Sequence, residues 1–286
     1  MQKFDIKEWV NQNSDYRAFR QAVHTILIAI AGTPFLQTSM IMKGGVLLAL
    51  SYSSPRYTKD IDFSTATKRS NFDIADFRQQ LEASLLGTVE TTDYGLDCRV
   101  QSCTQNPKSE DATFPTIQVS IGYAYKGSPA HKRLQTGNAT QVIRIDYSLN
   151  EPVEETDLFE LEEGCVIHTY SLVEMVAEKF RALLQQEQRN RIRRQDIYDL
   201  YYVLSDHPLR DDPKTKARIL ERLLEKSRIR DLPVDPDAMS NPEIRRRSEA
   251  EYNKLAPEIE GDLPPFAEVY DLVEAFYRAL PWEQAR

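Results

Sequence analysis

The residues best placed by type and spacing to do chemistry are two glycines followed by two aspartates. They lie in Lys43-Gly44-Gly45-Val46 and then Arg56-Tyr57-Thr58-Lys59-Asp60-Ile61-Asp62. A short apolar run, Met40-Ile41-Met42, precedes the glycines, and Val46 to Leu50 reads as the start of a buried helix. A Gly-Gly turn between strand and helix lets the backbone approach a phosphate. The helix N-terminus adds unpaired N–H groups and the positive end of its dipole. Ile61-Asp62-Phe63 reads as a strand with Ile61 and Phe63 on one face and Asp60 and Asp62 on the other. Two carboxylates on one face suit a divalent cation beside that phosphate, Mg²⁺ or Mn²⁺. The bland alternative is a plain turn with two surface acids.

A third strand acid, Asp146, lies in Val142-Ile143-Arg144-Ile145-Asp146-Tyr147, opposite in face to Ile143, Ile145 and Tyr147. It can complete a carboxylate triad that holds cations and activates a hydroxyl. A solvated strand residue is the other reading.

Helical geometry singles out two more charged residues. With Leu172 at 0° and about 100° per residue, Lys179 falls at about 340°, inside the arc of Met175, Leu183, Val176 and Phe180. Glu174, Glu178 and Arg181 fall on the opposite side, expected to be wet. A lysine on an apolar face needs an anion or a route to water. In Arg193-Arg194-Gln195-Asp196-Ile197-Tyr198-Asp199-Leu200, Asp196 occupies the same face as Leu200, Val203 and Leu204. Two opposite charges on buried helix faces suggest that Lys179 and Asp196 meet, either as a structural ion pair or facing a nucleotide. Between them, Arg189, Arg191, Arg193 and Arg194 form the densest positive cluster, suited to a polyanion or else simply a solvated loop. Arg245-Arg246-Arg247 reads as a solvated helix face.

These residues need scaffolds. The spacing of Tyr16, Phe19, Val23, Ile26 and Ile30 predicts a helix stopped by Gly32-Thr33-Pro34. Phe72 to Leu86 reads as an amphipathic helix, and Cys98–Ser102, Thr116–Tyr125 and Gln141–Leu149 read as strands. Residues 146–164 carry eight acids and no Lys or Arg, which reads as a solvated connection. Beyond it come helices at 171–187, 195–205, 213–228, 242–255 and 266–280, with a proline-bearing loop or hinge at 229–242. The chain is therefore expected to have an α/β half, 1–165, and a helical half, 166–286.

Composition bounds the rest. Of 286 residues, 36 are Lys or Arg and 44 Asp or Glu, a net charge of −8, which argues against a surface coated to grip nucleic acid generally. Three cysteines and four histidines offer neither a disulfide scaffold nor zinc-ligand spacing. No apolar run approaches a membrane span, and the first residues (Met1 to Asp5) lack a signal peptide's pattern. A monomer in the reducing cytoplasm is expected.

The motifs resemble the AbiEii/AbiGii toxin nucleotidyltransferases, which include the mycobacterial MenT toxins, within the wider DNA-polymerase-β-like superfamily. Lys43-Gly44-Gly45-Val46 with Arg56 to Phe63 looks like their first motif. Glu178-Lys179-Phe180-Arg181-Ala182-Leu183 and Arg193 to Leu200 look like their later ones, over roughly residues 40–205. The resemblance implies an α+β fold: a nucleotidyltransferase-type mixed β-sheet with flanking helices, followed by an α-helical bundle that completes the active site. It implies an NTP donor, Mg²⁺ or Mn²⁺, a tRNA acceptor in some members, and a toxin neutralised by an antitoxin in phage defence. Carried over by position, Asp60, Asp62 and Asp146 would bind metal, and Lys179 and Asp196 would be catalytic. Lys43, Gly44, Gly45, Val46, Arg56, Thr58 and Arg193 would contact the nucleotide. Val46 stands where the family usually has Ser or Thr, and Gln195 where a base is common. Two alternatives follow: a scaffold that binds nucleotide or a partner without turnover, or a transferase for a small-molecule or protein acceptor.

Overall fold

The structure is a computed structural model, which describes residues 2–3, 6–11, 16–109, 112–162, 164–206 and 208–285. Met1, Phe4, Asp5 and Glu163, which belong to the terminus and the acidic run read above, lie outside the described residues. The chain forms two compact units, Met1–Ser51 with Thr58–Tyr170, and Tyr52–Tyr57 with Ser171–Arg286.

The first unit runs β1 (Gln2–Lys3), α1 (Ile6–Asn11), α2 (Arg17–Ala31), α3 (Pro34–Ser39), β2 (Ile41–Lys43) and α4 (Gly44–Tyr52, which crosses into the second unit at its last residue). It continues with β3 (Asp60–Ser64), α5 (Ile74–Thr91), β4 (Leu96–Asn106), β5 (Thr116–Tyr125), α6 (Pro129–Gln135), β6 (Val142–Ser148), β7 (Thr156–Glu162) and β8 (Cys165–Tyr170). Among the described residues the strands form one mixed sheet of eight, ordered β1-β7-β8-β2-β3-β6-β5-β4. Strand β3 is central, antiparallel to β2 and parallel to β6.

The core follows from period-two alternation. Ile61, Phe63, Ile143, Ile145 and Tyr147 are fully buried. Each buried Ile or Phe there contributes about 1.5–3 kcal/mol relative to exposure. Helices α2 and α5 pack together, and both contact β4. Val23, Ile26, Leu27 and Ile30 are buried from α2, and Phe77, Leu81 and Leu85 from α5. Asp73 caps α5 by accepting from the N–H groups of Ala75 and Asp76.

Residues 146–164 are not a solvated connection. They hold the end of β6 and all of β7, paired antiparallel with β8. Phe159 and Leu161 are buried while Glu160 and Glu162 alternate with them, so strand periodicity survives under a charge run that resembles a loop in composition. Glu151 in this stretch is buried and accepts from Lys43 Nζ (2.8 Å) and Ser64 Oγ (3.2 Å).

The second unit holds α7 (Leu172–Leu184), α8 (Arg194–Asp206), α9 (Pro213–Arg228), α10 (Pro242–Glu249) and α11 (Phe266–Arg278). Ser171, Asp212 and Asn241 cap α7, α9 and α10 with side-chain oxygens on backbone N–H groups. Helix α7 packs against α8, α9 and α10, with Phe180 stacked on Phe276 of α11 at 6.1 Å between ring centres. The expected wet side of α7 is therefore buried too. Glu174 is 1% and Arg181 7% exposed, because α9 covers them and places Lys226 Nζ 2.6 Å from Glu174. The helix expected over 242–255 ends at Glu249. Glu251 is left-handed at φ 61°, and a 3₁₀ turn follows over Tyr252–Glu258. Arg247 is only partly solvated, with 16% of its side chain exposed and its donors bonded to Glu243 and Asn190. No helix among the described residues is long and apolar enough to cross a membrane. The mixed sheet with flanking helices and the C-terminal helices both match the expected fold class.

Candidate active site

The first cluster of candidate residues lies where β2 turns into α4. Gly44 takes φ +79°, a backbone conformation that costs an L-residue about 1–2 kcal/mol. A Cβ at Gly44 would also overlap the Asp62 carboxylate, whose Oδ2 lies against the Gly44 Cα. The sheet makes this contact, because Lys43 and Asp62 are register partners across β2 and β3. The first glycine is needed on two counts, turn geometry and room for the aspartate. Gly44→Ala is expected to displace Asp62 and to lower the thermal midpoint of the first unit. Differential scanning calorimetry and an NTP-turnover assay on the variant check both effects.

Asp60, Asp62 and Asp146 share one face of the sheet. Asp62 and Asp146 are register partners on the parallel strands β3 and β6, and Asp60 is two residues along from Asp62. All three are half-buried. Burial first, and the Asp146 charge second, hold the Asp60 carboxyl above the usual carboxylate range, against the Arg144 and Lys59 charges. Gln118 Nε2 donates to Asp146 Oδ1 at 3.1 Å. Among the described residues no three His, Cys, Asp or Glu groups converge as a ready-made metal cage. The donor set nevertheless fits a hard divalent cation. Mg²⁺ is ordinarily held by one or two carboxylates together with substrate phosphates, and these carboxylates feel each other's charge.

The other expected contacts of the turn are now placed. Gly45 is buried, and Val46 is 2% exposed, so only backbone is available there. Lys43 donates to Glu151 and lies 5.6 Å from the Tyr170 ring centre. Thr58 Oγ1 donates to the carbonyl of Asp60 at 3.5 Å.

The second cluster lies within the helical unit. Lys179 Nζ donates to Asp196 Oδ1 at 3.0 Å, the meeting expected from helical periodicity. It also donates to Asp199 Oδ2 at 2.7 Å. Arg193 stands 3.5 Å from the other Asp196 oxygen. Arg56, expected among the nucleotide contacts, belongs to this unit. Its Nε and Nη2 donate to the two Asp199 oxygens at 2.7 and 2.8 Å. Residues 55–57 hold Arg56 in place by an antiparallel bridge to Ile259 and by Tyr57 N–H donating to the Glu258 carbonyl. Burial alone would lower the Lys179 pKa. The charges of Asp199 and Asp196 outweigh both burial and Arg56 and raise it.

A family model described as the nucleotidyl transferase AbiEii toxin, type IV toxin–antitoxin system, matches residues 25–278. The chain belongs to the AbiEii family.

Two solved structures share its fold. One is a Helicobacter pylori protein provisionally named a nucleotidyltransferase, 14% identical, with a TM-score of 0.52 over 96% of this chain and 99% of that one. The other is JHP933 from Helicobacter pylori, 15% identical, with a TM-score of 0.50 over 96% of this chain and 95% of that one. A search of curated proteins finds no match. As an AbiEii member the chain is a nucleotidyltransferase of the toxin class, as the motifs over residues 40–205 imply.

The candidate residues read from the sequence do not include Asp199 or Glu151, although Asp199 lies inside the motif Arg193 to Leu200. Asp199 carries a readable signal, because with Asp196 at 0° it falls at about 300° and joins the apolar arc that holds Val203. Glu151 carries none, since it sits inside a run of acids with nothing in type or spacing to set it apart.

Proposed function

We propose that this AbiEii-family chain transfers a nucleotide from an NTP to a hydroxyl of an RNA acceptor, tRNA in particular, with Mg²⁺ or Mn²⁺. The observation that carries the reading is the contact of Asp62 with Gly44 at the start of α4. It sets a carboxylate face beside the N-terminus of α4, and a helix N-terminus is suited to binding phosphate. Asp60, Asp62 and Asp146 would hold the cation, which neutralises phosphate charge when bound. The backbone of Gly44, Gly45 and Val46 orients the phosphates. Thr58 sits at the entry to β3, and Lys43 keeps the β2 end in register through Glu151. The acceptor oxygen bonds to the α-phosphorus, the bond to the β-phosphate oxygen breaks, and pyrophosphate leaves. The hydroxyl proton passes to a carboxylate of this face. Positioning and charge supply the rate. Lys179, kept charged by its carboxylate neighbours, and Arg193 serve as phosphate-contacting cations, with Asp196 as one of the two carboxylate partners of the lysine. Action in the cytoplasm, control by a cognate antitoxin, a role in phage defence and a monomeric state complete the reading.

The RNA acceptor rests on the arginine cluster. Arg189 and Arg191 are exposed in the segment that joins α7 to α8. Burial, and then the charges of Arg230, Arg181, Arg191 and Arg193, lower the Arg189 pKa. So many like charges together, in a chain of net charge −8, suit a phosphate backbone. Replacing both Arg189 and Arg191 with Gln is expected to reduce the slope of log affinity against log salt by about 1.4 for single-stranded RNA. Filter binding over a salt series checks this, and an unchanged slope places the RNA elsewhere.

The buried Val46 favours a second reading, a scaffold that binds nucleotide without turnover. Calorimetry with each NTP and Mg²⁺, run beside a pyrophosphate-release assay, separates the two. Binding with release supports transfer, and binding without release supports the scaffold. A small-molecule or protein acceptor would leave transfer intact when the arginines are replaced.

A further inference from the structure

Asp199 makes contacts that leave it nothing to offer a ligand. It is 0% exposed, and its two oxygens accept from Arg56 Nε, Arg56 Nη2 and Lys179 Nζ, all at 2.7–2.8 Å. Asp196, on the other side of the same amine, has 16% of its side chain open and accepts from Lys179 at 3.0 Å. The lysine thus has one inner and one outer carboxylate. The inner one is clamped by a planar guanidinium fork, the geometry that fixes a carboxylate most firmly.

We propose that Asp199, clamped by Arg56, is a positioning residue that holds the Lys179 ammonium in place, while Asp196 is the exchangeable partner that yields the amine to an anionic phosphate. The proposal rests on the reading of Lys179 as a phosphate-contacting residue.

The physics runs through three charges. Burial disfavours a charged lysine, and Arg56 as a neighbouring cation disfavours it further. Asp196 alone cannot hold the amine once a phosphate has drawn it away. Asp199 can, because its buried charge bonds the amine at 2.7 Å whatever Asp196 does. Arg56 therefore acts through Asp199 rather than on a nucleotide. The charged groups around the amine are Asp196 and Asp199 from α8 and Arg56 from 52–57. Arg193 stands by Asp196 and Glu258 by Arg56, while Lys226 of α9 engages Glu174 and Glu178 instead.

The test titrates the lysine directly. The full chain is labelled with ¹³C at lysine Cε, and Lys179 is assigned by the peak lost in Lys179→Met. Asp199→Asn keeps the shape and one acceptor oxygen but removes the charge. It is expected to lower the Lys179 titration by at least one pH unit, a tenfold loss of proton affinity. The alkaline limb of NTP turnover should move down with it. Arg56→Gln, which keeps Asp199 and removes the rival cation, should leave Lys179 charged to the same or a higher pH. In the double variant Asp199→Asn/Arg56→Gln the titration should return part of the way. A purely structural aspartate would change thermal stability without this pattern. An unchanged Lys179 titration in folded Asp199→Asn overturns the proposal, as does a fall in Arg56→Gln. The Arg56→Gln result decides the matter if Asp199→Asn does not fold. The titration shift in a wild type that turns over no NTP would uphold the Asp199–Lys179 coupling and overturn the transferase reading. Turnover with no titration shift would do the reverse.

Discussion

Asp60→Ala is expected to abolish nucleotide transfer and leave the chain folded. Asp60 is half-buried at the first position of β3, on the carboxylate face, while the core positions of that strand are Ile61 and Phe63. No packed apolar volume is lost. The Asp60 carboxyl is held above the usual range, first by burial and then by Asp146, so removing it relieves a repulsion in the free protein. Thermal stability should be equal to or slightly above that of the wild type. Transfer should fall by a factor of at least about 10³, the scale set by losing a group aimed at developing charge. Turnover at fixed NTP together with a thermal melt reads both outcomes. A stable variant with wild-type turnover would remove Asp60 from the mechanism.

The second large effect is on stability. Asp199→Ala leaves Arg56 and Lys179, two cations, facing each other in the interior of the helical unit. Breaking a buried pair in this way costs about 3–5 kcal/mol. Lys179→Met should cost far less, because Asp199 keeps both bonds to Arg56. The contrast between the two variants in urea melts is the check, and equal costs would mean that the network does not share its charge as drawn. The pH dependence follows. Burial pushes the Asp199 carboxyl up, but Arg56 and Lys179 outweigh it and bring it down to about 2 from 3.8. A depressed carboxylate stabilises the fold fully above its unfolded value and loses that contribution as pH falls through the folded one. The Asp199 share of stability should therefore be intact above about pH 4 and vanish toward pH 2.

What could be read from the sequence was whatever depends on local period. Gly44-Gly45 followed by Asp60 and Asp62 is legible because a strand, a turn and alternation place them, and β2, α4 and β3 form there. Lys179 and Asp196 are legible because 100° per residue puts both on apolar arcs. Asp199 obeys the same arithmetic, yet a face shared by two aspartates does not say which one is sealed from water. That depends on Arg56, whose segment 52–57 leaves the first unit to join the helical one, a matter of topology with no local signature. Strand β7 was hidden for a different reason. Acids surround its buried positions, Glu160 and Glu162 among them, and composition masked an alternation carried by only Phe159 and Leu161. Likewise Glu174 and Arg181 lie on the polar side of α7 by period alone, and the covering helix α9 comes from far along the chain.

The measurement that bears most directly on the central claim is incubation of the chain with each of the four NTPs labelled at the α-phosphate, with Mg²⁺ and total RNA, and with Asp60→Ala in parallel. The predicted result is label joined covalently to RNA, with pyrophosphate released in equal amount, by the wild type alone. No label on RNA from any NTP, or equal labelling by Asp60→Ala, would contradict the account.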